Sequence, residues 1–369
     1  MSTPVTNDPV RVLYVGLRYD YGDPRRGSCY EFVNFLGTLS RMEGIEVSFF
    51  PFDEEMRLRG REAMNRSLLR TVAEYTPDLC FFVLFTDEIA QQTIRRITES
   101  SGSITLNWFG DDHWRFLTFA RHWAPLFHWA VTTDAASLER YRASGTVNVL
   151  LSQWGISPHL VVRKDRQAEF DVSFIGQVHS RRRAYVATLE EGGIPVACRG
   201  RGWPDGRIGQ DEMMAMYSQS RINLNFTDSS VIAGWKPFAR ILLNRRADSS
   251  IRVNAPSRML EQIRVLMTDR APQIKARNFE VPGAGGFLLT STAENLDTYF
   301  VPGKEIAVFE SGKELLDAVR YYLSHDAERE EIREAGYRRV CRDHTYAQRF
   351  RSLFKAVGVL PRQAQSERR

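Results

Sequence analysis

Short apolar runs alternate with helical patterns along most of the chain, and this alternation restricts the fold more than any other feature. Segments such as Ser28–Met42 carry apolar residues at helical spacing. Strands joined by helices pair in parallel through right-handed crossovers. The sequence therefore predicts an α/β protein of doubly wound parallel sheets. The predicted strands are Val10–Val15, Ile45–Phe50, Leu79–Phe85, Ile104–Trp108, His128–Thr132, Val147–Leu151, Phe170–Ile175, Ile194–Cys198, Ile222–Phe226, Phe287–Leu289 and Ile306–Phe309.

The chain has 369 residues, too many for one hydrophobic core, and the alternation stops and then restarts. We therefore predict two tandem Rossmann-like domains, with ligand in the cleft between them at the carboxyl ends of the strands. Residues 227–256 fit the alternation poorly and are predicted to be an insertion. The predicted parts are a disordered segment 1–9, a first domain 10–151, a linker 152–169, a second domain 170–345, a terminal helix 346–359 and a disordered tail 360–369.

Composition excludes several protein classes. The polar N-terminus lacks the apolar core of a signal peptide, and no apolar run approaches the ~20 residues of a membrane span. Four scattered cysteines indicate a reduced, cytoplasmic chain without a disulfide framework or zinc site. The net charge of +5 is mild, and no basic stripe or module predicts nucleic-acid binding. Arginine clusters such as Arg245-Arg246 are candidate anion sites, contacts with an anionic membrane, or solvated faces.

One stretch, Ala271–Thr290, combines a short helical pattern, a glycine-rich break and a buried strand. A carboxylate close to unobstructed glycine amides suits a ribose next to a phosphate, with Glu280 accepting from the sugar hydroxyls. Gly283, Ala284 and Gly285 would then face the phosphates. The alternative is a simple helix stop with a solvated acid.

Other candidates follow the predicted strands. Asp111-Asp112 is the only adjacent acid pair at a strand end, and it could bind a metal, act as a base or cap a helix. His113 and His179 are candidate bases because imidazole titrates near neutrality, although each could be an ordinary loop residue. Trp203 could stack on a base or sugar, or belong to the core. Further candidates for the cleft are Gly16, Arg18, Arg25 to Ser28, Gly176, Arg182, Arg183 and Gly200.

The second half resembles group 1 glycosyltransferases of the GT-B fold, in the branch similar to the spore-maturation protein CgeB. In the first half only NWFGDDHWRF supports this resemblance. The segments that carry it are FDVSFIGQVHSRRR, RGRGW, SRINLNF, KARNFEVPGAGGFLLT and AGYRRVCRDHTYAQRF, within residues 170 to 350.

The resemblance implies sugar transfer from a nucleoside diphosphate sugar to an acceptor, which the sequence does not identify. Glu280 matches the carboxylate that holds the donor ribose, and Gly283 and Gly285 match the small residues facing the diphosphate. Arg182 and Arg183 match cations that neutralise the pyrophosphate. Retaining relatives carry a second glutamate where this chain has Pro272, so Lys275 and Arg277 are expected to meet the donor instead.

The resemblance also leads us to assign roles for catalysis. Without a convincing metal motif, we expect cations and backbone amides to replace a divalent ion, with no cofactor besides the donor itself. The catalytic candidates are Asp111, Asp112, His179 and Arg183. The donor-binding candidates are Gly16, Gly176, Arg182, Arg183, Gly200, Trp203, Arg277, Glu280, Gly283, Ala284 and Gly285.

Three other functions compete with glycosyl transfer. A dehydrogenase would need G-x-G-x-x-G after the first strand, and Gly16–Gly22 does not supply it. A sugar-nucleotide epimerase would use the same donor pocket. A non-catalytic scaffold would keep the pocket without turnover, with the segment around Arg245-Arg246 binding a partner or membrane.

Overall fold

The computed structural model describes residues 8–161, 167–227, 239, 241–245, 251–268 and 272–359. The chain divides into two compact units. Unit 1 comprises the described residues of 1–153, 235–268 and 346–369, and unit 2 those of 154–234 and 269–345. The predicted tail 360–369 and most of the predicted disordered segment 1–9 lie outside the described residues, as do parts of the predicted linker and insertion.

Unit 1 contains a six-stranded parallel sheet with strand order β2-β1-β3-β4-β5-β6. The central strand β1 is buried along almost its whole length, as expected of a parallel strand covered on both faces. The strand order changes direction between β1 and β3, the point at which such sheets bind ligands. The strands are β1 (Val10–Gly16), β2 (Ile45–Pro51), β3 (Leu79–Phe82), β4 (Ile104–Phe109), β5 (Trp129–Thr132) and β6 (Val149–Leu151).

Helices join these strands. A π-helical turn, Phe32–Leu36, leads into the short helix α1, and a second, Phe116–Ala120, joins α4 to α5. The helices of the first 153 residues are α1 (Gly37–Leu39), α2 (Phe52–Tyr75), α3 (Gln91–Ser100), α4 (Asp112–Arg115), α5 (Arg121–Trp123) and α6 (Ser137–Ala143), with 3-10 turns at Asp20–Gly22, Pro24–Arg26 and Ala124–Leu126.

Unit 2 contains a five-stranded parallel sheet with strand order β13-β12-β9-β7-β8. This order is the flavodoxin-like one, with the reversal between β7 and β9. The strands are β7 (Phe170–Ile175), β8 (Ala197–Arg199), β9 (Ser220–Asn225), β12 (Leu288–Ser291) and β13 (Ala307–Phe309). The helices are α7 (Ser180–Glu191), α8 (Gln210–Ser218), α10 (Arg277–Gly283), α11 (Gly312–Ser324) and α12 (Asp326–Asp343), with 3-10 turns at Pro158–Leu160 and Leu296–Thr298.

Two segments late in the chain belong to unit 1. A hairpin of β10 (Leu243–Arg245) and β11 (Ile251–Val253) precedes α9 (Pro256–Thr268), which packs on the π-helical turn after α4. Glu261 of α9 lies 3.6 Å from Nη1 of Arg121 and 3.4 Å from Nε2 of His122. These contacts explain why residues 241–268, which we predicted inside the second domain, group with the first unit.

The last helix, α13 (Tyr346–Ala356), completes the core of unit 1. The ring of Phe350 lies 5.4 Å from Phe35, 5.5 Å from Phe81 and 6.5 Å from Trp108, between ring centroids. Each aromatic ring of this size buries a large apolar area, and edge-to-face pairs add about 0.5–1.5 kcal/mol beyond that area.

The predicted fold class is confirmed: both sheets are parallel, and strands alternate with helices. Boundaries differ locally. The predicted strand at Ile194 begins instead at Ala197, since Pro195 has no N–H to donate to a ladder. In the part of the chain that the structure describes, no helix combines the length and apolar character of a membrane span.

Candidate active site

The predicted site residues of unit 2 meet at the point where the strand order reverses. Gly176 directly follows β7 and Asn225 is the last residue of β9. Arg277 begins helix α10, and its Nε donates to Oδ1 of Asn225 at 2.9 Å. A Cβ on Gly176 would lie 2.9 Å from Nη1 of Arg277. A guanidinium group thus lies across the carboxyl ends of the two strands, and glycine leaves it room.

A network of buried amides and hydroxyls holds this arginine. Nδ2 of Asn225 donates to Oδ1 of Asn278 and to Oγ1 of Thr290, both at 3.0 Å. Oδ1 of Asn278 also accepts from the backbone N–H of Lys275 at 2.9 Å. Because Asn225, Asn278 and Thr290 are all fully buried, their geometry is fixed and Arg277 is pre-positioned.

Glu280 lies one helical turn after Arg277 and is 4% exposed. Its Oε1 is buried without a hydrogen-bond partner among the described residues. Burial raises the pKa of this carboxyl to about 7, and the neighbouring Arg277 acts in the opposite direction. The hydroxyl of Tyr217 is also buried without a partner, and burial together with Glu280 raises its pKa well above the usual value. Buried groups of this kind cost free energy unless something bonds to them, so they indicate a ligand with hydroxyl groups.

His179 precedes helix α7 and is surrounded by cations. Burial and then the charges of Arg182, Arg277, Lys275 and Arg181 lower the pKa of its imidazole to about 4. Neither ring nitrogen has a hydrogen-bond partner among the described residues. At neutral pH this imidazole is therefore uncharged and free to donate one hydrogen bond and accept another.

Arg182 and Arg183 differ in their surroundings. Arg182 is buried, and its guanidinium donates to the carbonyls of Gln177 at 2.8 Å and Phe226 at 3.4 Å. Its Cζ lies 5.5 Å from the ring centroid of Phe174, on which Arg277 also packs at 5.6 Å. Arg183 is exposed. The buried guanidinium of Arg182 and the half-buried guanidinium of Arg277 form a fixed positive region beside Phe174, whereas Arg183 is exposed.

Gly200 and Trp203 shape the loop that follows β8. The indole Nε1 of Trp203 donates to the carbonyl of Gly176 at 2.9 Å, and its ring packs edge-on against Phe174. Gly200 has φ +125°, and a Cβ there would lie 2.4 Å from the Gly176 carbonyl oxygen. Both residues therefore fix the position of Gly176, and Trp203 uses its N–H within the protein.

The glycine-rich turn at the end of α10 is closed by internal hydrogen bonds. The amides of Ala284 and Gly285 donate to the carbonyls of Glu280 and Pro282, both at 2.9 Å. A Cβ on Gly283 would lie 2.8 Å from Cδ1 of Ile156. The three residues predicted to face phosphate thus end the helix and permit close packing. The group available to a phosphate is instead the cation Arg277 in the first turn of the helix.

The predicted residues of unit 1 form a separate group. Asp112 is buried, and its Oδ2 accepts from the hydroxyl of Tyr141 at 2.7 Å. Burial raises the pKa of Asp112 to about 7. Asp111 is partly exposed and its side chain does not cap the helix. Gly16 ends β1 and is packed against the ring of its neighbour Tyr14. Asp112 therefore has a structural partner, and Asp111 is the more accessible acid.

The arginines of the loop after β1 are paired internally. Nη1 of Arg18 donates to Glu54 at 3.0 Å. Arg25 pairs with Asp23 and Arg26 with Asp20, each at 2.9 Å. Each of these arginines therefore already has a carboxylate partner.

One group that the sequence did not single out is Glu31. Burial raises the pKa of its carboxyl to about 7, with Asp111 and Asp20 adding to the increase. Glu31 therefore lies electrostatically close to Asp111, at the end of unit 1 where its own strand order reverses. The sequence does contain a signal for this residue, because Glu31 is an acid within the apolar helical pattern that follows the first strand. Among the described residues, no group of three or more His, Cys, Asp or Glu side chains is placed to hold a metal ion.

The sequence and the structure were compared with those of known proteins. Residues 181–355, just under half of the chain, match the model of a family described as glycosyl transferase-like. No curated protein matches the sequence.

Several solved structures share the fold over almost the whole chain. Sucrose-phosphate synthase from Thermosynechococcus elongatus has a TM-score of 0.61 at 11% identity, over 94% of this chain and 99% of that one. Anabaena Alr3699/HepE, in complex with UDP and glucose, has a TM-score of 0.58 at 10% identity, over 95% of this chain and 100% of that one. The DNA modifying enzyme β-glucosyltransferase, solved in the presence and absence of uridine diphosphoglucose, has a TM-score of 0.54 at 14% identity, over 94% of this chain and 99% of that one. The chain thus has the fold of GT-B glycosyltransferases, and its second half is similar to the family described as glycosyl transferase-like.

Proposed function

We propose that the protein transfers a sugar from a nucleoside diphosphate sugar, with a uridine nucleotide as the first candidate, to an acceptor hydroxyl. The observation that carries this proposal is the fixed guanidinium of Arg277 at the strand-order reversal of unit 2, one turn before the buried, unpartnered carboxyl oxygen of Glu280. A cation and an acceptor at that spacing suit the phosphate and ribose of one nucleotide. The uridine nucleotide is suggested by the fold neighbours solved with UDP or uridine diphosphoglucose.

The donor diphosphate lies against Arg277 in this proposal. Negative charge builds on the departing diphosphate as the anomeric C–O bond breaks, so a guanidinium held there by Asn225 stabilises the transition state more than the ground state. Arg182 adds positive potential from its buried position beside Phe174. These cations take the place of a divalent ion, and the reaction needs no cofactor beyond the donor.

Glu280 holds the ribose through hydrogen bonds from its hydroxyls to the ionised carboxylate. Tyr217 lies beside it and donates to the same sugar. His179 remains uncharged at neutral pH because of its cationic surroundings, so it acts as a hydrogen-bonding group toward the phosphate or the transferred sugar and not as the base.

Asp111 is the residue that we propose as the base that removes the acceptor proton. Asp111 is the accessible acid at the end of β4, and Glu31 raises the local density of negative charge around it. A carboxylate there accepts the proton of the acceptor hydroxyl as the glycosidic bond forms.

Two finer assignments complete the proposal. We assign the chain to the CgeB-like branch because FDVSFIGQVHSRRR forms the strand, glycine and cationic helix start of the site. We also assign it to the cytoplasm, on the basis of its cysteines, which form no disulfide among the described residues.

Titration calorimetry and thermal shift with UDP, GDP and ADP, and with their glucose conjugates, test the function. Binding of one nucleotide by the wild type, lost in Arg277→Ala and retained in Arg221→Ala, supports it. Arg221 begins the same strand that Asn225 ends and pairs with Asp171 and Asp326, so it is a matched arginine at the opposite end. A folded protein that binds none of these ligands would favour the scaffold alternative, and donor turnover without acceptor would favour the epimerase.

A further inference from the structure

The hairpin β10–β11 and helix α9 expose an unusual number of large apolar side chains. Across the rest of the described chain, exposed large apolar residues are scattered singly, as is normal for a protein surface. In this short segment, the exposed residues are Leu242, Leu243, Ile251, Val253, Leu260 and Ile263. We call these six, together with Arg252 and Arg264, the basic apolar surface.

The geometry of the two elements directs this surface away from unit 1. Leu243 and Val253 are directly opposed in the antiparallel register of the hairpin, and both are exposed, at 43% and 74%. Helix α9 binds the unit through Glu261, which pairs with Arg121 and His122. Leu260 and Ile263 lie one turn apart on the helix and are 60% and 40% exposed.

The net charge of this part of the chain is positive. Residues 235–270 carry eight Lys and Arg against three Asp and Glu, so about a tenth of the sequence accounts for the whole net charge of +5. Glu261, one of the three acids, already has Arg121 and His122 as partners. Arg264 is exposed one turn after Leu260, and Arg252 is exposed on the opposite face of the hairpin from Ile251 and Val253.

We propose that the basic apolar surface docks on the headgroup region of an anionic phospholipid membrane. Apolar side chains flanked by arginines on an amphipathic element match such an interface, where acyl chains receive the apolar groups and anionic headgroups the cations. A symmetric contact with a second copy of the chain fits less well, because the surface would meet itself and its members include no acidic side chain to pair with Arg252 and Arg264. A nucleic acid would leave the apolar side chains uncovered.

Flotation of the full-length chain with vesicles tests this proposal. Vesicles of phosphatidylcholine alone and vesicles containing one third phosphatidylglycerol are compared at low and high salt. Binding is expected only to the anionic vesicles, and it is expected to weaken with salt. Removing cations in Arg252→Gln/Arg264→Gln should weaken partitioning about fivefold for each residue. Leu260→Ser/Ile263→Ser should weaken it about tenfold for each apolar side chain that inserts.

Matched controls are available elsewhere on unit 1. Leu58 and Val147 are 74% and 75% exposed, against 60% and 40% for Leu260 and Ile263, so Leu58→Ser/Val147→Ser removes at least as much apolar exposure outside the surface. Arg66→Gln/Arg70→Gln removes two exposed arginines of helix α2. Both controls should bind like the wild type, and circular dichroism checks the fold of all variants. Equal binding to neutral and anionic vesicles would overturn the proposal, as would unchanged binding of the Leu260/Ile263 variant. Dimerisation in solution that this variant abolishes would assign the surface to a second copy instead.

Discussion

Asn225, the last residue of β9, accepts a hydrogen bond from Nε of Arg277 at 2.9 Å, although the two residues are 52 positions apart. The amide has two bonds of its own, to Asn278 and Thr290, so it cannot rotate away. The direction of the guanidinium is therefore set before any donor arrives, which is the condition for electrostatic stabilisation without reorganisation.

Arg277→Ala should lower kcat/KM by about 10²–10³-fold, in the range seen when one preorganised transition-state donor is removed. Asn225→Ala should have a smaller effect, because the cation remains but loses its fixed direction. Steady-state kinetics with the donor identified by binding provide the measurement. Arg221→Ala is the control and should leave kcat/KM within about twofold. Equal losses in Arg221→Ala and Arg277→Ala would show that net charge, and not position, is responsible.

Glu280→Gln should change both donor affinity and stability in a pH-dependent way. Burial raises the pKa of the folded-state carboxyl from 4.5 to about 7, so ionised Glu280 becomes the main form only above pH 7. Donor affinity of the wild type should therefore rise between pH 6 and pH 8, and Glu280→Gln should abolish that rise. Calorimetry across this pH range is the measurement, and an identical pH dependence in both proteins would exclude Glu280 as the ribose acceptor.

The stability of the unliganded protein should change with pH in the opposite direction. A folded-state pKa above the unfolded one favours folding with the proton bound, so this stability is present below pH 4.5 and is lost as the pH rises to about 7. Glu280→Gln should consequently be more stable than the wild type at pH 8, by at most about 3 kcal/mol. The difference should shrink toward pH 4.5, as chemical denaturation at both pH values will show. A variant that is less stable at pH 8 would mean that the carboxylate is stabilised by a partner.

His179→Asn should lower kcat/KM by about tenfold, the value of one neutral hydrogen bond, without changing the shape of the pH–rate profile. The reason is that burial and surrounding cations lower the pKa of this imidazole to about 4, so it does not titrate where the enzyme is assayed. Profiles between pH 5.5 and pH 9 distinguish the two roles. Loss of an ascending limb near pH 6 to 7 in the variant would identify His179 as a general base after all.

Gly200→Ala should destabilise unit 2 and weaken donor binding together. The residue has φ +125°, and its new Cβ would lie 2.4 Å from the Gly176 carbonyl oxygen, which also accepts from Trp203. A cost of about 1–3 kcal/mol is expected for a side chain held in such a conformation. Gly209→Ala is the matched control, because nothing lies within 4 Å of a Cβ there. The midpoints of thermal unfolding of the two variants are compared. Equal midpoints would contradict the expected backbone strain in Gly200→Ala.

Asp112→Asn and Tyr141→Phe should lower stability while leaving donor affinity unchanged. The carboxylate is buried and accepts from the tyrosine hydroxyl at 2.7 Å. Tyr141→Phe removes the donor of this bond, and Asp112→Asn replaces a bond to a carboxyl group by a weaker one to an amide oxygen. A cost of about 1–3 kcal/mol is expected for each, and less than the sum for both together. Urea unfolding of the single and double variants measures this coupling. A folded Asp112→Asn protein that binds donor but has lost turnover would restore Asp112 as a catalytic acid.

The strands and their parallel pairing could be predicted from the sequence because the signal is local. Val10–Val15 and Phe170–Ile175 are apolar runs followed by glycine, and the helices between successive runs leave no other pairing. Strand ends, and with them Gly176 and Asn225, could be located for the same reason. The prediction that the site residues lie near the carboxyl ends of the strands needed only the order of strands and helices along the chain.

The contacts within the site could not be predicted, because they join distant segments. Only the adjacency of β7 and β9 brings Gly176 next to Arg277, and only folding shows that the amides of Ala284 and Gly285 are used within their own helix. The same reason applies to Asp111-Asp112. Tyr141, 29 residues after Asp112, decides that the second acid is buried and bonded, and nothing in the pair itself indicates it.

Helix α13 has a consequence for biosynthesis. Phe350 fills the space between Phe35, Phe81 and Trp108, so the core of unit 1 stays open until residues near the end of the chain have been translated. Every residue of unit 2 has left the ribosome before this helix does. The half of the molecule that is synthesised first therefore reaches its native state last, and in the meantime its unfinished aromatic core is a natural substrate for chaperones.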